Sequence, residues 1–205
     1  MAVANYADAN NQLPPAYILG PGGRPWHSWR VLILPYIEQD SLFKQYRFDE
    51  PWNGPNNSRL ASPMPKTLAF TGTKPSDTTT NYLAVVGSET MWPGAKGRKW
   101  AEIKDGPSET ILIVENNGLG VHWMEPRDLA FDTMPFGIDD PNGVSSWYEQ
   151  PSVVLADGSV RMLSRKLTPE ALRAALTVDG GEKLAEGTDG WTVIEDGRDR
   201  ERKEP

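Results

Sequence analysis

The side chains that could catalyse a reaction gather in one short segment, VHWMEPRDLAFD, in the middle of the chain. Glu125, Asp128 and Asp132 lie within eight residues, and His122 comes just before them. Two carboxyl groups at a fixed separation can serve a glycosidase-type hydrolase as acid and base. The same residues also fit an ion-pair network in which Glu125 and Asp128 flank Arg127. We favour the ion pairs, because sequence spacing does not set the separation that catalysis needs.

The sequence contains few other residues suited to catalysis. It has no cysteine, and its other histidine, His27, follows Trp26 at a predicted helix start, where a capping or packing role is the simpler interpretation. There is no G-x-S-x-G segment, and residues 94–97 (GAKG) have neither Walker nor dinucleotide-binding spacing. We therefore predict no catalytic residue and no organic cofactor.

The strongest metal-binding pattern is the segment IDDPNG, residues 138–143, followed by Glu149. Aligned with the calcium loop D-x-[DN]-x-[DN]-G-x5-E, Asp140, Asn142 and Glu149 take the third, fifth and twelfth positions. The first position holds no oxygen ligand, so Asp139 would have to replace it. The simpler interpretation of the segment is a plain Asp-Pro-Asn-Gly turn that needs no ion. Calcium is the alternative, and it is the one metal cofactor that the sequence suggests.

The charge and hydropathy of the chain restrict its partners. Its 205 residues include 28 acidic and 21 basic side chains, which gives a net charge of −7 and a sequence pI near 4.9. This balance argues against nucleic acid as a partner, because a phosphate-backbone binder needs a basic surface. No apolar run reaches the roughly 18 residues of a membrane-spanning helix. We expect membrane attachment only through an N-terminal helix absent from this chain.

Tryptophan is unusually abundant, with eight residues in the chain. Its large ring and single N–H donor suit buried cores, protein interfaces and sugar-binding platforms alike. Trp92, Trp100 and Trp123 are candidates for such platforms. Their number alone does not choose among the three uses.

The helices that would position these residues are short. The Ala-rich residues 2–12 predict the last turns of a helix. Ser28 can cap a second helix, which should kink at Pro35 or restart after Asp40. Thr168, followed by proline, predicts the start of a C-terminal helix.

Strands are predicted where short apolar runs stand between turn residues. These runs are residues 82–86, 110–114, 153–156, 159–163 and 191–194. The dipeptide Asp157-Gly158 joins two of them and predicts a two-residue type I′ hairpin. Glycine and proline total 37 residues, which indicates a loop-rich chain. The fold class predicted from these elements is α+β, with a mostly antiparallel sheet and a C-terminal helix.

Six segments occur together in order: HSWRVLILPYIEQ (27–39), FDEPWNGPNN (48–57), TTNYLAVVG (79–87), IKDGPSETILIVE (103–115), WMEPRDL (123–129) and VLADGSVRMLS (154–164). Together they resemble a large uncharacterised bacterial family that is abundant in planctomycetes. Its members carry a prepilin-type N-terminal cleavage signal and an Asp-Gly motif near the C-terminus. The resemblance spans residues 2–165 and implies a pseudopilin-like fold, in which an N-terminal helix packs on a small sheet.

The resemblance also implies a domain organisation and a location. We expect a pilin-like domain over residues 1–165, a helix-and-strand appendage over 166–194 and a disordered charged tail over 195–205. Family members begin with a long apolar helix like that of type II secretion pseudopilins. The resemblance therefore implies either a head domain trimmed of that helix or a relative that lost it, with an extracytoplasmic or cell-surface location. Family members carry a histidine shortly before the Asp-Gly motif, and this chain has Trp147 at that position.

These observations favour a non-enzymatic head domain that acts in surface assembly or protein interaction. A ligand- or sugar-binding module built on tryptophan is the alternative, and a hydrolase that uses His122, Glu125 or Asp128 is the second alternative. Calcium-binding loops occur in pseudopilin heads, so the resemblance adds weight to the calcium interpretation of the 138–143 segment.

Overall fold

The computed structural model describes residues 2–62, 64–70, 74 and 77–195, except for the side chain of Glu195. The predicted disordered tail, residues 195–205, lies outside the described residues apart from the Glu195 backbone. The chain forms two compact units. Unit 1 spans Met1–Tyr82, Trp92–Trp100 and Gly120–Asp128, and unit 2 spans Leu83–Met91, Ala101–Leu119 and Leu129–Pro205. The domain boundaries at 165 and 194 stay a prediction.

Short elements joined by 3-10 helices and irregular loops make up the described residues. The α-helices are α1 (Ala2–Asn10), α2 (Trp29–Leu32), α3 (Asp40–Gln45) and α4 (Pro169–Leu176). The strands are β1 (Tyr17–Leu19), β2 (Pro25–Ser28), β3 (Thr79–Thr80), β4 (Tyr82–Leu83), β5 (Val85–Val86), β6 (Ile111–Glu115), β7 (Val121–His122), β8 (Leu129–Ala130), β9 (Ser152–Leu155), β10 (Val160–Met162), β11 (Lys183–Gly187) and β12 (Gly190–Glu195). No described helix is long and apolar enough to cross a membrane.

The helices of unit 1 begin and end where local sequence signals predict. The Ser28 hydroxyl accepts a hydrogen bond from the N–H two residues later at 3.2 Å, which caps α2. Pro35 lies in a 3-10 helix, Leu34–Ile37, that ends at Glu38 with a φ of 62°. Helix α3 then restarts at Asp40. The predicted break at Pro35 is therefore confirmed.

The two strand pairings within unit 1 are antiparallel. Strand β1 pairs with β2, and β3 pairs with β7. Helix α1 is followed by Asn11 in the left-handed region at a φ of 57°. The Tyr6 ring of α1 meets Tyr36 edge to face, with 5.8 Å between ring centroids.

The largest sheet of the described residues has the strand order β10-β9-β6-β4, and its strands β6, β9 and β10 belong to unit 2. The pairs β9–β10 and β6–β9 are antiparallel, whereas β5 and β8 form a short parallel pair. Strand β9 buries Val153 and Leu155, and α4 buries Leu172 and Leu176. Thr168 caps α4 by accepting from a backbone N–H at 3.2 Å. The α+β class and the mostly antiparallel pairing are confirmed.

The β9–β10 hairpin forms as predicted, but its turn type differs. The Leu155 N–H donates to the Ser159 carbonyl at 2.9 Å, so the loop contains three residues rather than two. Gly158 has a φ of 93°, whereas Asp157 does not lie at positive φ. A type I′ turn needs both central residues at positive φ. Instead the Asp157 carboxylate accepts from the Ser159 N–H and hydroxyl at 2.8 and 2.7 Å, which favours a turn with glycine as its last residue.

Candidate functional site

The Asp128 carboxylate is buried in an ion pair with Arg30 of α2. Their side chains are 2% and 0% exposed. Arg30 also donates to the Tyr82 carbonyl at 3.1 and 3.0 Å and to the Ser28 hydroxyl at 2.9 Å. The Trp29 indole N–H donates to Asp128 at 3.3 Å. Because Asp128 is enclosed by these partners, it does not present a carboxylate to a substrate.

Glu125 forms the ion pair with Arg127 that the sequence predicts. The Arg127 Nε lies 2.7 Å from Glu125 Oε1, and Nη2 lies 3.2 Å from Oε2. Glu125 also accepts from the His122 backbone N–H at 3.3 Å. The carboxylate thus stabilises its own turn. Asp128, the other expected partner, forms a buried ion pair with Arg30.

His122 is half-buried against an aromatic ring. Its Nδ1 accepts from the Met124 N–H at 3.1 Å, which leaves the proton of the neutral ring on Nε2. The Trp52 ring lies 4.9 Å away between centroids. Burial lowers the pKa of His122, and the nearby Glu125 carboxylate partly opposes that shift. Asp132 lies exposed in unit 2.

His27 is a buried packing residue, as predicted. It is 2% exposed, and its Nδ1 lies 2.8 Å from the Tyr46 hydroxyl. Its ring contacts Trp26, Tyr46 and Phe48 edge to face. Burial lowers the pKa of His27, opposed in part by a hydrogen bond to the Phe48 backbone.

In unit 2 a long loop, residues 138–150, is fixed by a buried carboxylate at the end of β6. Glu115 is 2% exposed. One of its carboxylate oxygens accepts from the Ser146 hydroxyl, and the other accepts from the Ser152 N–H and hydroxyl at 2.9 Å each. The Glu115 carbonyl accepts from the Ser145 N–H at 3.0 Å. These bonds hold the C-terminal part of the loop against the sheet.

Asn116 holds the other end of the 138–150 loop. Its amide donates to the carbonyls of Pro141 and Gly143 at 2.9 and 2.7 Å. Its side-chain oxygen accepts from the backbone N–H groups of Gly118 and Leu119 at 3.1 and 2.9 Å. Sequence reasoning missed both anchors, although the polar pair directly after the apolar run ILIV was a visible signal.

The calcium candidates all lie on this loop. Asp140 accepts from the Asn142 N–H at 2.8 Å, as in an Asx turn. Asp139, the substitute ligand, pairs with Arg165 at 2.5 Å, and Glu149 is exposed. Among the described residues, no three or more His, Asp or Glu side chains group as a metal site. Calcium at Asp140, Asn142 and Glu149 stays a prediction.

Two large aromatic side chains of the same loop face solvent. Trp147 is 71% exposed and Tyr148 is 53% exposed. The flanking backbone is held by Glu115 and Asn116, so these rings are presented on a fixed segment. Sequence reasoning singled out Trp147 only as the residue at a family histidine position.

The tryptophans proposed as sugar platforms are mostly inside the protein. Trp92 and Trp123 are 1% and 0% exposed, and Trp100 is half-buried. Trp123 donates its indole N–H to the Ala61 carbonyl at 2.7 Å. Trp92 packs on Trp29 with 5.0 Å between ring centroids. Two of the three candidates therefore belong to the core.

Unit 2 also contains a polar cavity of about 530 Å³ beside α4. Its lining comprises Glu89, Glu170, Arg173, Thr177, Asp179, Gly180, Glu182 and Val193. The Arg173 Nη2 lies 3.6 Å from the Glu89 Oε2. The Arg173 Cζ lies over the Phe131 ring, 4.5 Å from its centroid. Because the cavity has no aromatic wall, it lacks the platform that sugar binding uses.

Comparison with known proteins adds one match. Residues 1–98 match the model of a family described as Protein of unknown function (DUF1559), slightly less than half of the 205 residues. This match supports similarity to an uncharacterised bacterial family and covers the segments 27–39, 48–57 and 79–87. No curated protein and no solved structure matches the chain.

Proposed function

We propose that this protein is a non-enzymatic, extracytoplasmic head domain, similar to those of pseudopilins, which acts by assembling with other protein chains. The observation that carries the proposal is the exposed pair Trp147 and Tyr148 on a fixed loop. Tryptophan and tyrosine are the side chains most enriched at binding hot spots. Presenting them on a segment already held by buried hydrogen bonds reduces the entropy lost on binding.

The candidate catalytic groups are already bonded to other residues of the protein, which supports the same proposal. Asp128 is enclosed by Arg30, and Glu125 is occupied by Arg127 and a turn N–H. His122 is half-buried with its Nδ1 already accepting a hydrogen bond. A hydrolase would need such groups open to a substrate and to water. The extracytoplasmic location is proposed from the family resemblance alone.

Self-association of the purified chain tests the proposal. Sedimentation velocity over protein concentrations from about 1 μM to 1 mM should show assembly, weakened about tenfold or more by Trp147→Ala, the usual cost of losing a hot spot. Val160→Ser, at an exposed apolar residue of the same unit (68%), is the matched control and should assemble like the original chain. A chain that stays monomeric throughout, or a Trp147→Ala variant that assembles unchanged, would contradict the proposal.

A further inference from the structure

The two units carry net charges of opposite sign. Among the described residues, unit 1 has 11 Lys and Arg against 8 Asp and Glu, a net charge of +3. Unit 2 has 6 against 16, a net charge of −10. Residues 196–205 contain four of each sign, so these values account for the whole-chain charge of −7. Opposite net charges favour attraction between unit 1 of one copy and unit 2 of a second copy.

The exposed aromatic pair lies on the acidic unit, and Glu149 follows it directly in the sequence. Asp140 and Glu149 belong to the same 138–150 loop as Trp147 and Tyr148. Asp139 of this loop is already paired with Arg165. Aromatic faces beside carboxylates are complementary to Lys and Arg, which pack over the rings while pairing with the acids. The loop therefore favours a cationic partner surface.

A cationic surface of this kind exists on unit 1 of the same chain. Lys96, Arg98 and Lys99 lie within four residues, which we call the basic loop. Lys96 and Lys99 are exposed, and Arg98 is half-buried. The Arg98 carbonyl accepts from the Leu13 N–H at 2.8 Å, which ties the backbone of the basic loop to the segment after α1. Its lysines are thus presented from a fixed backbone.

We propose that the basic loop of one copy docks on the 138–150 loop of a second copy, with its lysines against Trp147, Tyr148 and Glu149. This inference rests on the proposed function and names the partner as another copy of this chain. The contact joins two different surfaces, so one copy keeps an unused 138–150 loop and the other keeps an unused basic loop. Such a head-to-tail contact adds copies in a row or closes a ring, whereas a two-fold contact stops at a dimer.

Complementation between two defective variants tests the inference. The first variant, Lys96→Glu with Lys99→Glu, loses the basic loop, and the second, Trp147→Ala with Tyr148→Ala, loses the aromatic pair. All four side chains are exposed, so both variants should keep the original melting curve. Each alone should be monomeric by sedimentation velocity, in EGTA and low salt. Mixed together they should form a one-to-one complex that does not grow, because only one competent contact remains.

A matched control separates the local contact from overall charge. Lys66→Glu with Lys74→Glu changes the charge of unit 1 by the same amount at two other exposed lysines, and it should assemble like the original chain. Raising the salt from about 0.05 to 0.5 M should weaken assembly of the original chain about tenfold, because salt screens exposed charges. Weakening by the control as strong as that by Lys96→Glu with Lys99→Glu would overturn the inference.

The remaining outcomes distinguish this inference from the proposed function. If the basic-loop variant assembles normally while the aromatic variant does not, the head-to-tail contact is wrong and assembly through Trp147 stands. The same conclusion follows if the mixed variants stay monomeric. If the original chain itself stays monomeric, both proposals fail.

Discussion

At the scale of single residues, the buried Arg30–Asp128 pair is the most consequential feature of unit 1. Removing two charges from water is costly, and their mutual attraction offsets that cost only when other polar partners are also satisfied. Here the guanidinium meets Tyr82 and Ser28 as well as the carboxylate, and Asp128 also accepts from Trp29. A buried pair satisfied in this way becomes strongly destabilising once one partner is lost.

Asp128→Asn should lower the free energy of unfolding by about 3–5 kcal/mol, because it leaves a buried guanidinium without a counter-charge. For a chain of this length the melting temperature should fall by about 10 °C. Arg127→Gln is the matched control, since its pair with Glu125 is half exposed, and it should cost less than about 1 kcal/mol. Urea unfolding of both variants measures the difference. If the free energy of unfolding falls equally in the two variants, the buried Arg30–Asp128 pair contributes no more to stability than the exposed Arg127–Glu125 pair.

The residue scale also shows why sequence reasoning did not find Arg30 as the partner of Asp128. Arg30 and Asp128 are 98 residues apart, whereas Arg127 is the neighbour in sequence. Glu115 likewise finds Ser152 37 residues away. Local patterns contain no information on which distant charge a fold will bring near. The candidate site was therefore predicted as a set of residues with its local Glu125–Arg127 pair, but its long-range pairings were not.

At the scale of secondary-structure elements, prediction succeeded where a few neighbouring residues decide the conformation. Ser28 and Thr168 cap helices with their own side chains, and Pro35 interrupts one by lacking an N–H. The β9–β10 hairpin was predicted, yet its loop was wrong by one residue. There the Asp157 carboxylate accepts a hydrogen bond from the Ser159 N–H, which favours the three-residue turn. The Asp-Gly dipeptide alone is compatible with both turn types.

The three-residue turn makes Gly158 specifically necessary. Gly158→Ala should lower the free energy of unfolding by about 1–2 kcal/mol, because a Cβ at a φ of 93° is strained. Gly137→Ala is the matched control: its Cβ would meet no atom within 4 Å, and its φ is not positive. The control should change stability by less than about 0.5 kcal/mol. If thermal melting shows no difference between the two alanine variants, the three-residue turn with Gly158 at positive φ is incorrect.

At the scale of the whole molecule, the acidity of unit 2 bears directly on the calcium prediction. A net charge of −10 on one compact unit stores electrostatic repulsion that any cation relieves. A divalent ion could therefore stabilise the protein in two ways. It could bind at Asp140, Asn142 and Glu149, or it could screen the surface without a defined site. Stabilisation by a defined site should depend on the identity of the ion and on the Asp140 carboxylate. Stabilisation by screening should depend on neither.

If the 138–150 loop binds calcium with a Kd of about 10 μM, about 1 mM calcium should add roughly 2.7 kcal/mol of stability relative to EGTA. That corresponds to an increase of about 5–10 °C in the melting temperature, followed by tryptophan fluorescence. Asp140→Asn should abolish most of this increase while keeping the oxygen that accepts from the Asn142 N–H. Asp157→Asn, which removes one charge at another turn of unit 2, should keep it.

Magnesium distinguishes the site from screening, because it requires a tighter octahedral set of ligands than this loop pattern offers. At the same concentration it should give little of the calcium effect. Equal stabilisation by both ions, retained in Asp140→Asn, would assign the effect to the charge of unit 2 as a whole. Identical melting curves in calcium and EGTA would rule out the site and leave residues 138–143 as a turn, held by Asn116 without an ion.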